Sequence, residues 1–151
     1  FQNTIVIATS NARSDFVKDA IEAGRDAGDI AEELKKKLAE YFRPELVNRF
    51  SGIVVFKNLS LADTEAIARL QLAELAKNLA ATHGIGLAVS EEAVKKIAAL
   101  GYDPVFGARP LRGVISEKVR SVLAEKILKG EVVKGVTVKL AVEGGELKVA
   151  I

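Results

Sequence analysis

The sequence contains no cysteine, no methionine and no tryptophan, and it has a single histidine. Without cysteine the chain cannot form disulfides, thiolate zinc sites or a thiol nucleophile. One histidine leaves little material for a histidine-rich metal site or a Ser-His-Asp triad. No apolar run approaches the roughly 18 residues that a membrane-spanning helix needs, and no signal-peptide pattern is present. These absences predict a cytoplasmic protein without a membrane partner.

The sequence also has no large excess of positive or of negative charge. The 22 Lys and Arg against 20 Asp and Glu leave a formal net charge of +2. Modules that bind nucleic acid normally carry a strong basic excess, so we expect no nucleic-acid partner. The 49% hydrophobic content, the 28% charged content and the three prolines indicate a globular chain. Its 151 residues suffice for one ordinary domain or one and a half small ones.

The first part of the chain has the pattern of an α/β sheet fragment. Residues 4–8 and 53–56 are short apolar runs that predict buried strands. Helices are predicted between them at about 13–23 and 29–41, with Asp29 as the N-cap of the second. The order is therefore strand–helix–helix–strand. Because the chain opens on a core strand, we expect it to be a piece of a longer protein.

After residue 58 the pattern changes to a compact α+β unit of three helices and about three strands. Ser60 and Asp63 have the spacing of a capping box at the start of a long helix. Ser90 is expected to cap the second helix, and the third is predicted at about 110–129. The predicted strands are 87–89, 136–142 and 146–151, of which the last two form a hairpin. We therefore predict two domains, residues 1–58 and 59–151.

Three short motifs are candidates for chemistry. Asn11 follows the first predicted strand, at the edge where α/β sheets bind ligands. Arg49 lies in an apolar frame before the second strand, and Arg109 precedes a helix whose N-terminus, like the guanidinium, attracts phosphate. Each motif also has a structural interpretation, as a turn at Asn11 or as arginines that cover apolar surface. The acidic pairs 32–33 and 91–92 are expected on solvated helix faces, without an acid–base role.

In this order the motifs resemble the second ATPase module of Clp-type AAA+ unfoldases. Residues 9–11 (TSN) are similar to the sensor-1 motif, and residues 42–49 (FRPELVNR) to the box F-R-P-E-hydrophobic-x-N-R. Residues 107–111 (GARPL) are similar to the sensor-2 motif. The sequence departs from the family at residues 12–13, where Leu-Gly is commoner than Ala-Arg. It departs again at Gly113, where a second basic residue is usual.

The resemblance implies roles for five residues. Asn11 would position the attacking water near the γ-phosphate, and Arg49 would be the arginine finger that reaches the nucleotide of the neighbouring subunit. Arg109, with Gly107 and Ala108 beside it, would contact the nucleotide of its own subunit. Residues 1–58 would then be the C-terminal part of the AAA+ large subdomain, and residues 59–151 the small, or lid, subdomain.

The resemblance also implies a cofactor and partners. The cofactor would be ATP with magnesium, whose ligands lie outside this chain, because no G-x-x-x-x-G-K-[ST] motif and no acidic metal-binding pair is present. This chain alone is expected neither to bind ATP tightly nor to hydrolyse it. The partners would be the other subunits of a homohexameric ring and protein substrates, and a protease ring remains an open alternative. The competing hypothesis is a non-enzymatic interaction or oligomerisation module whose arginines are structural.

Overall fold

The computed structural model describes residues 3–104 and 106–151. Phe1 and Gln2, which precede the first predicted strand, and Val105, within the loop that leads to the third motif, lie outside the described residues. The backbone contacts divide the chain into two compact units. We call them unit 1, Phe1–Asn58, and unit 2, Leu59–Ile151.

Unit 1 is mainly helical. Its helical segments are α1 (Ser14–Glu22), α2 (Ala27–Lys37), a 3-10 turn (Leu38–Glu40) and α3 (Pro44–Val47). The helices predicted at 13–23 and 29–41 are thus confirmed, but α2 begins earlier than expected. Asp26 is its N-cap, with a carboxylate that accepts a hydrogen bond from the Gly28 N–H at 2.7 Å, whereas Asp29 lies inside the first turn. Both aspartates have the right chemistry for a cap, and only the backbone geometry selects one of them.

The strand predicted at residues 4–8 is wrong for this chain. These residues pair with no strand in the described part of the chain, and the side chains of Ile5, Val6 and Ile7 are 89%, 83% and 84% exposed. A strand is stable when neighbouring strands satisfy its backbone N–H and C=O groups. The described residues of unit 1 offer no neighbouring strand, so Ile5, Val6 and Ile7 belong to no sheet.

Residues 53–56 are likewise unpaired, although their alternating pattern survives. Ile53 and Val55 are half-buried against the apolar cluster of unit 1, while Val54 and Phe56 are 76% and 79% exposed. Alternate side chains therefore face opposite sides, as in a strand, but without a ladder partner among the described residues. The fold class, an α/β fragment followed by a small α+β unit, is confirmed, whereas the pairing of these two strands is not.

The first helix of unit 2 is α4 (Leu61–His83). It begins and ends where the sequence predicts. The Ser60 hydroxyl accepts a hydrogen bond from the Asp63 N–H at 3.1 Å, and the Asp63 carboxylate accepts one from the Ser60 N–H at 3.0 Å. This reciprocal pair is the capping box. Gly84 ends the helix in the left-handed conformation, with φ 65°.

Two further helical stretches follow. In α5 (Glu91–Gly101), the Ser90 hydroxyl caps the start by accepting a hydrogen bond from the Ala93 N–H at 3.2 Å. The last stretch consists of α6 (Leu111–Ile115), one π turn (Ser116–Arg120) and α7 (Ser121–Leu128) in direct succession. The chain is therefore helical from 111 to 128, close to the predicted 110–129. The hydroxyl of Ser121, the first residue of α7, donates across the π turn to the Ser116 carbonyl at 3.1 Å, a contact that fits the widened turn.

The sheet of unit 2 is mixed. Its strands are β1 (Gly86–Val89), β2 (Thr137–Glu143) and β3 (Glu146–Ala150), in the order β1-β2-β3. β1 runs parallel to β2, with Leu87 opposite Val138, and β3 runs antiparallel to β2. The hairpin turns through Gly144 and Gly145, whose φ values of 60° and 82° are those a two-residue turn requires. The predicted hairpin is confirmed.

The core of unit 2 lies between its helices and one face of the sheet. Each helix contributes one apolar stripe, and β2 contributes alternate residues. The most deeply buried large side chains include Leu72, Ile97, Leu111, Leu123 and Leu140, each at most 2% exposed. The stripe predicted for α4 (Ala68, Leu72, Leu75 and Leu79) is buried as expected. This core fixes the loop between α5 and α6, which carries the third motif.

Candidate functional site

Asn11 lies in a tight turn before α1. The Asn11 carbonyl accepts a hydrogen bond from the Ser14 N–H at 3.2 Å, and the Ser10 hydroxyl accepts one from the Ala12 N–H at 3.1 Å. These bonds hold the backbone while Asn11 itself stays exposed. The side-chain amide can therefore donate or accept a hydrogen bond with a ligand.

A small apolar cluster connects this turn with the second motif. We call it the unit 1 cluster. Its buried members are Leu34, Leu38 and Val47, and the half-buried side chains packed on it are Ala12, Phe16, Val17, Phe42, Ile53 and Val55. Ala12 comes directly after Asn11, and Val47 comes two residues before Arg49. Both candidate residues of unit 1 are thus attached to one cluster through a near neighbour in sequence.

Arg49 follows α3 on a fixed backbone. Its N–H donates to the Leu46 carbonyl at 3.0 Å, and Val47 is only 4% exposed. Phe42 and Phe50, on either side of the motif, pack edge to face with ring centroids 6.3 Å apart. Arg49 itself is exposed, and no carboxylate in the described part of the chain pairs with it. Its positive charge is therefore available for an anion.

The third motif lies in a closed loop of unit 2. The Asp103 N–H donates to the Gly107 carbonyl at 2.9 Å, and the Gly107 N–H donates to the Asp103 carbonyl at 2.7 Å. The Asp103 carboxylate also accepts a hydrogen bond from the Phe106 N–H at 2.8 Å. Gly107 has φ 60°, which glycine adopts without strain. Ala108 then joins the loop to α6, because its carbonyl accepts a hydrogen bond from the Leu111 N–H at 3.1 Å.

Arg109 projects from this loop. It is exposed, and its guanidinium carbon lies 5.8 Å from the centroid of the Phe106 ring. Such a cation–π contact orients the guanidinium without neutralising its charge. Over the described ranges no carboxylate pairs with Arg109. A guanidinium that is always charged and has several N–H donors suits recognition of a phosphate group.

One carboxylate of each acidic pair is bound to an arginine. A hydrogen bond from Arg25 holds the pKa of the Glu33 carboxyl below its usual value, and one from Arg69 does the same for the pKa of Glu91. Both carboxylates therefore stay ionised at neutral pH, which does not suit a general acid. In the described part of the chain no group of three or more histidine, aspartate or glutamate residues is placed to hold a metal ion.

The five candidate residues divide between the units. Asn11 and Arg49 lie in unit 1, whereas Gly107, Ala108 and Arg109 lie together in one loop of unit 2. The sequence patterns did not predict the ion pair of Arg13, which lies two residues after Asn11, with Glu40. None of the helices in the described ranges is both long and apolar enough to cross a membrane.

Comparison with known families shows the family of the chain. The family described as the C-terminal, D2-small domain, of ClpB protein matches residues 59–140. The chain belongs to this family. The AAA domain (Cdc48 subfamily) family matches residues 1–53. The predicted resemblance to the second AAA+ module of Clp-type proteins is thereby confirmed.

The curated relatives are chaperone proteins named ClpB. The protein of Meiothermus ruber is 43% identical over 135 residues, which are 89% of this chain and 16% of that protein. The protein of Helicobacter hepaticus is 41% identical over 147 residues, covering 97% of this chain and 16% of that protein. The protein of Aquifex aeolicus is 38% identical over 152 residues, which cover 97% of this chain and 15% of that protein. This ClpB D2-small family member thus spans about a sixth of the length of these relatives.

Proposed function

We propose that this chain supplies nucleotide-contacting side chains to a Clp-type AAA+ ATPase that acts as a protein chaperone. Residues 1–58 are the end of the AAA+ large subdomain in this proposal, and residues 59–151 are the small, or lid, subdomain. The observation that carries it is a pair of exposed arginines at the motif positions. Arg49 and Arg109 are each held on a hydrogen-bonded backbone, and neither has a carboxylate partner in the described ranges.

The roles follow from the chemistry of phosphoryl transfer. Negative charge spreads over the γ-phosphate oxygens as that group leaves, and a fixed guanidinium stabilises it. Arg49 acts on the nucleotide of the neighbouring subunit, Arg109 on the nucleotide of its own subunit, and Asn11 orients the attacking water. The exposed amide and the two uncompensated cations fit an anionic nucleotide, with the phosphate loop and the magnesium ligands supplied from outside this chain.

The proposal extends to the assembly and activity of the whole protein. Six identical subunits form a ring in the cytoplasm, and ATP hydrolysis unfolds and threads protein substrates through it. The lid moves about a hinge near residues 57–60 and follows the nucleotide through Arg109. The near-neutral net charge supports a role without a nucleic-acid partner.

The experiment is subunit mixing in a full-length ATPase that contains this chain. Arg49→Ala should lower turnover by roughly 10³-fold with little effect on nucleotide binding, because the arginine finger acts mainly in the transition state. Arg109→Ala should weaken nucleotide binding instead. Mixing Arg49→Ala subunits with subunits whose phosphate loop is inactivated should restore part of the activity. At some interfaces of the mixed ring, an intact phosphate loop then faces an intact Arg49 from the neighbouring subunit. Arg109→Ala subunits should not be rescued in this way.

Arg112→Ala is the matched control. Arg112 is an exposed arginine of α6 three residues after Arg109, and it also has no carboxylate partner among the described residues. Its loss changes the net charge equally and should leave turnover unchanged. Identical behaviour of Arg49→Ala and Arg109→Ala in mixing would contradict the assignment of Arg49 to the neighbouring site. Full activity of both variants would instead favour the interaction module with structural arginines.

A further inference from the structure

Phe106 lies beside Arg109 and apart from the apolar core. Its side chain is 56% exposed, and it belongs to neither of the apolar clusters found among the described residues. Its ring lies next to the Arg109 side chain, with 5.8 Å between the guanidinium carbon and the ring centroid. The Arg109 N–H also donates a hydrogen bond to the Phe106 carbonyl at 3.3 Å. The two residues are therefore joined twice, through their side chains and through their backbones.

The backbone that carries Phe106 is fixed from both sides. On one side, the Asp103 carboxylate accepts a hydrogen bond from the Phe106 N–H at 2.8 Å. On the other side, Gly107 exchanges backbone hydrogen bonds with Asp103 at 2.9 and 2.7 Å. Leu59 packs against Gly107, since a Cβ atom there would lie 3.6 Å from the Leu59 Cβ, an ordinary van der Waals distance. The loop therefore fixes the position from which the ring projects.

An aromatic ring suits an arginine whose charge must stay available. An exposed arginine without a partner samples many rotamers, and it loses this freedom when it binds a ligand. A carboxylate partner would hold the guanidinium but would neutralise its charge. The face of a ring attracts the cation through its quadrupole and leaves the charge intact. In the described ranges no carboxylate pairs with Arg109, so its side chain is restricted by the Phe106 ring.

We infer that Phe106 is a positioning residue that sets the Arg109 guanidinium for phosphate binding. The inference rests on the proposed function, in which Arg109 contacts the nucleotide of its own subunit. Phe106 itself does not contact the nucleotide. It lowers the conformational entropy that Arg109 loses on binding. Its contribution is therefore to nucleotide affinity, and it exists only while Arg109 is present.

The test uses Phe106→Ala in a full-length ATPase that contains this chain. We expect the KM for ATP to rise about two- to fivefold, the size of an exposed cation–π contact. We expect kcat to stay unchanged, because an interaction made equally in the bound and transition states affects KM alone. A purely structural role would instead lower kcat together with the melting temperature and leave KM unchanged. Isothermal titration calorimetry with a slowly hydrolysed ATP analogue measures the affinity directly.

Two substitutions separate the effect of the ring face from that of apolar bulk. Phe106→Tyr keeps a ring that attracts cations and should retain the original affinity. Phe106→Leu keeps an apolar side chain without a ring, so it should weaken the affinity as much as Phe106→Ala. Val133→Ala is the control, because Val133 is 55% exposed in the same unit, and it should change nothing. A leucine variant with the original affinity would show that the ring face has no role.

The double variant decides whether Phe106 acts through Arg109. In an Arg109→Ala background the ring has no guanidinium to hold, so adding Phe106→Ala should cause no further loss of affinity. A further two- to fivefold loss in that background would mean that the two residues act independently, and the inference would be overturned.

Failure of this inference and failure of the proposed function give different results. If Arg109→Ala weakens nucleotide binding while Phe106→Ala leaves it unchanged, the inference is wrong and the proposed function stands. If Phe106→Ala lowers kcat only in proportion to a lowered melting temperature, its role is structural and the inference is likewise wrong. If Arg109→Ala leaves nucleotide binding unchanged, the role proposed for Arg109 fails and the inference fails with it.

Discussion

Gly101, the last residue of α5, lies where the core of unit 2 leaves no room for a side chain. A Cβ atom on Gly101 would lie 2.6 Å from Leu111 Cδ1 and 2.7 Å from Leu111 Cα. Leu111 is fully buried at the start of α6, so its backbone cannot move aside without disturbing the core. We expect Gly101→Ala to lower the free energy of unfolding by about 1–3 kcal/mol, the usual effect of overpacking. Urea denaturation of the chain measures this.

Gly113→Ala is the control for that prediction. Gly113 is an exposed residue of α6, and nothing lies within 4 Å of the position its Cβ would take. Alanine favours a helix more than glycine does, so this variant should be more stable by about 0.4–1 kcal/mol. If both variants lost the same stability, the close approach of α5 to α6 would not be the cause.

At the level of single residues, the sequence indicates the motif positions but not the contacts between residues far apart in the chain. Asn11, Arg49 and Arg109 are candidates because each lies in a contiguous motif. Arg13 was noted only as a departure from the family, and its left-handed conformation was not predicted, because it runs against the intrinsic preference of arginine. Its partner Glu40 is 27 residues away, and no local spacing rule connects two such positions.

Among the elements, α4 and α5 are joined at the surface by one ion pair. Arg69 Nη2 donates to Glu91 Oε2 at 2.6 Å, with the two side chains 51% and 64% exposed. The hydrogen bond from Arg69 lowers the pKa of the Glu91 carboxyl below its usual value. The folded state therefore gains stability at pH values above the pKa of the unfolded chain, and it loses this gain as pH falls through the lowered pKa. Glu91→Gln should be slightly less stable than the original chain at neutral pH and equally stable in strong acid.

Glu92→Gln controls for the helix dipole, because Glu92 is the other carboxylate in the first turn of α5. Thermal unfolding at several pH values, at low and high salt, compares the two variants. Glu91→Gln should show the larger dependence on pH, and added salt should reduce it, since exposed pairs are screened. An equal pH dependence of both variants would mean that Arg69 has no part in it.

The apolar run at residues 4–8 predicts self-association of this chain. Ile5, Val6 and Ile7 are unpaired and almost fully exposed, and they have the high β-propensity that favours pairing between chains. Ile5→Lys with Ile7→Lys should abolish the association, because charged lysines in the apolar run disfavour pairing between chains. Sedimentation velocity over a range of concentrations measures it.

Leu128→Lys is the matched control for this prediction. Leu128 is 88% exposed at the end of α7, and the run at residues 4–8 is far from it in sequence. A lysine there adds one positive charge, half of the charge added by the double variant, without changing the apolar run, so the association should persist. If Leu128→Lys dissociated the chains as well, general charge repulsion would explain the effect.

The elements that the sequence predicted correctly are those with local signals. Ser60 with Asp63, Ser90 and Gly84 each act within one helical turn, and the helices of unit 2 begin or end where these residues predict. The turn of the final hairpin is equally local. The strands at 4–8 and 53–56 have the right residue pattern, but strand formation depends on distant partners, and the described residues of unit 1 contain none.

At the scale of the whole molecule, the apolar core is concentrated in unit 2. Its members come from α4, α5, the last helical stretch and the sheet, all within residues 59–151. Unit 1 has only the small cluster around Leu34, Leu38 and Val47 among its described residues. Since the helices of unit 2 are also capped by its own residues, we expect residues 59–151 to fold on their own. Their cooperative thermal unfolding and near-UV circular dichroism measure this.

Hydrogen exchange then decides whether the isolated unit has the same structure as in the full chain. Amides of α4, α5 and β2 should show the same protection in both, because their hydrogen bonds and their packing are internal to unit 2. Leu72→Ala, which removes a side chain only 1% exposed, should lower the stability of residues 59–151 by about 2–5 kcal/mol. Leu70→Ala, at a position of the same helix that is 72% exposed, should have little effect. If residues 59–151 alone lacked protected amides, or if the two leucine variants lost equal stability, the core described for unit 2 would not be what holds it together.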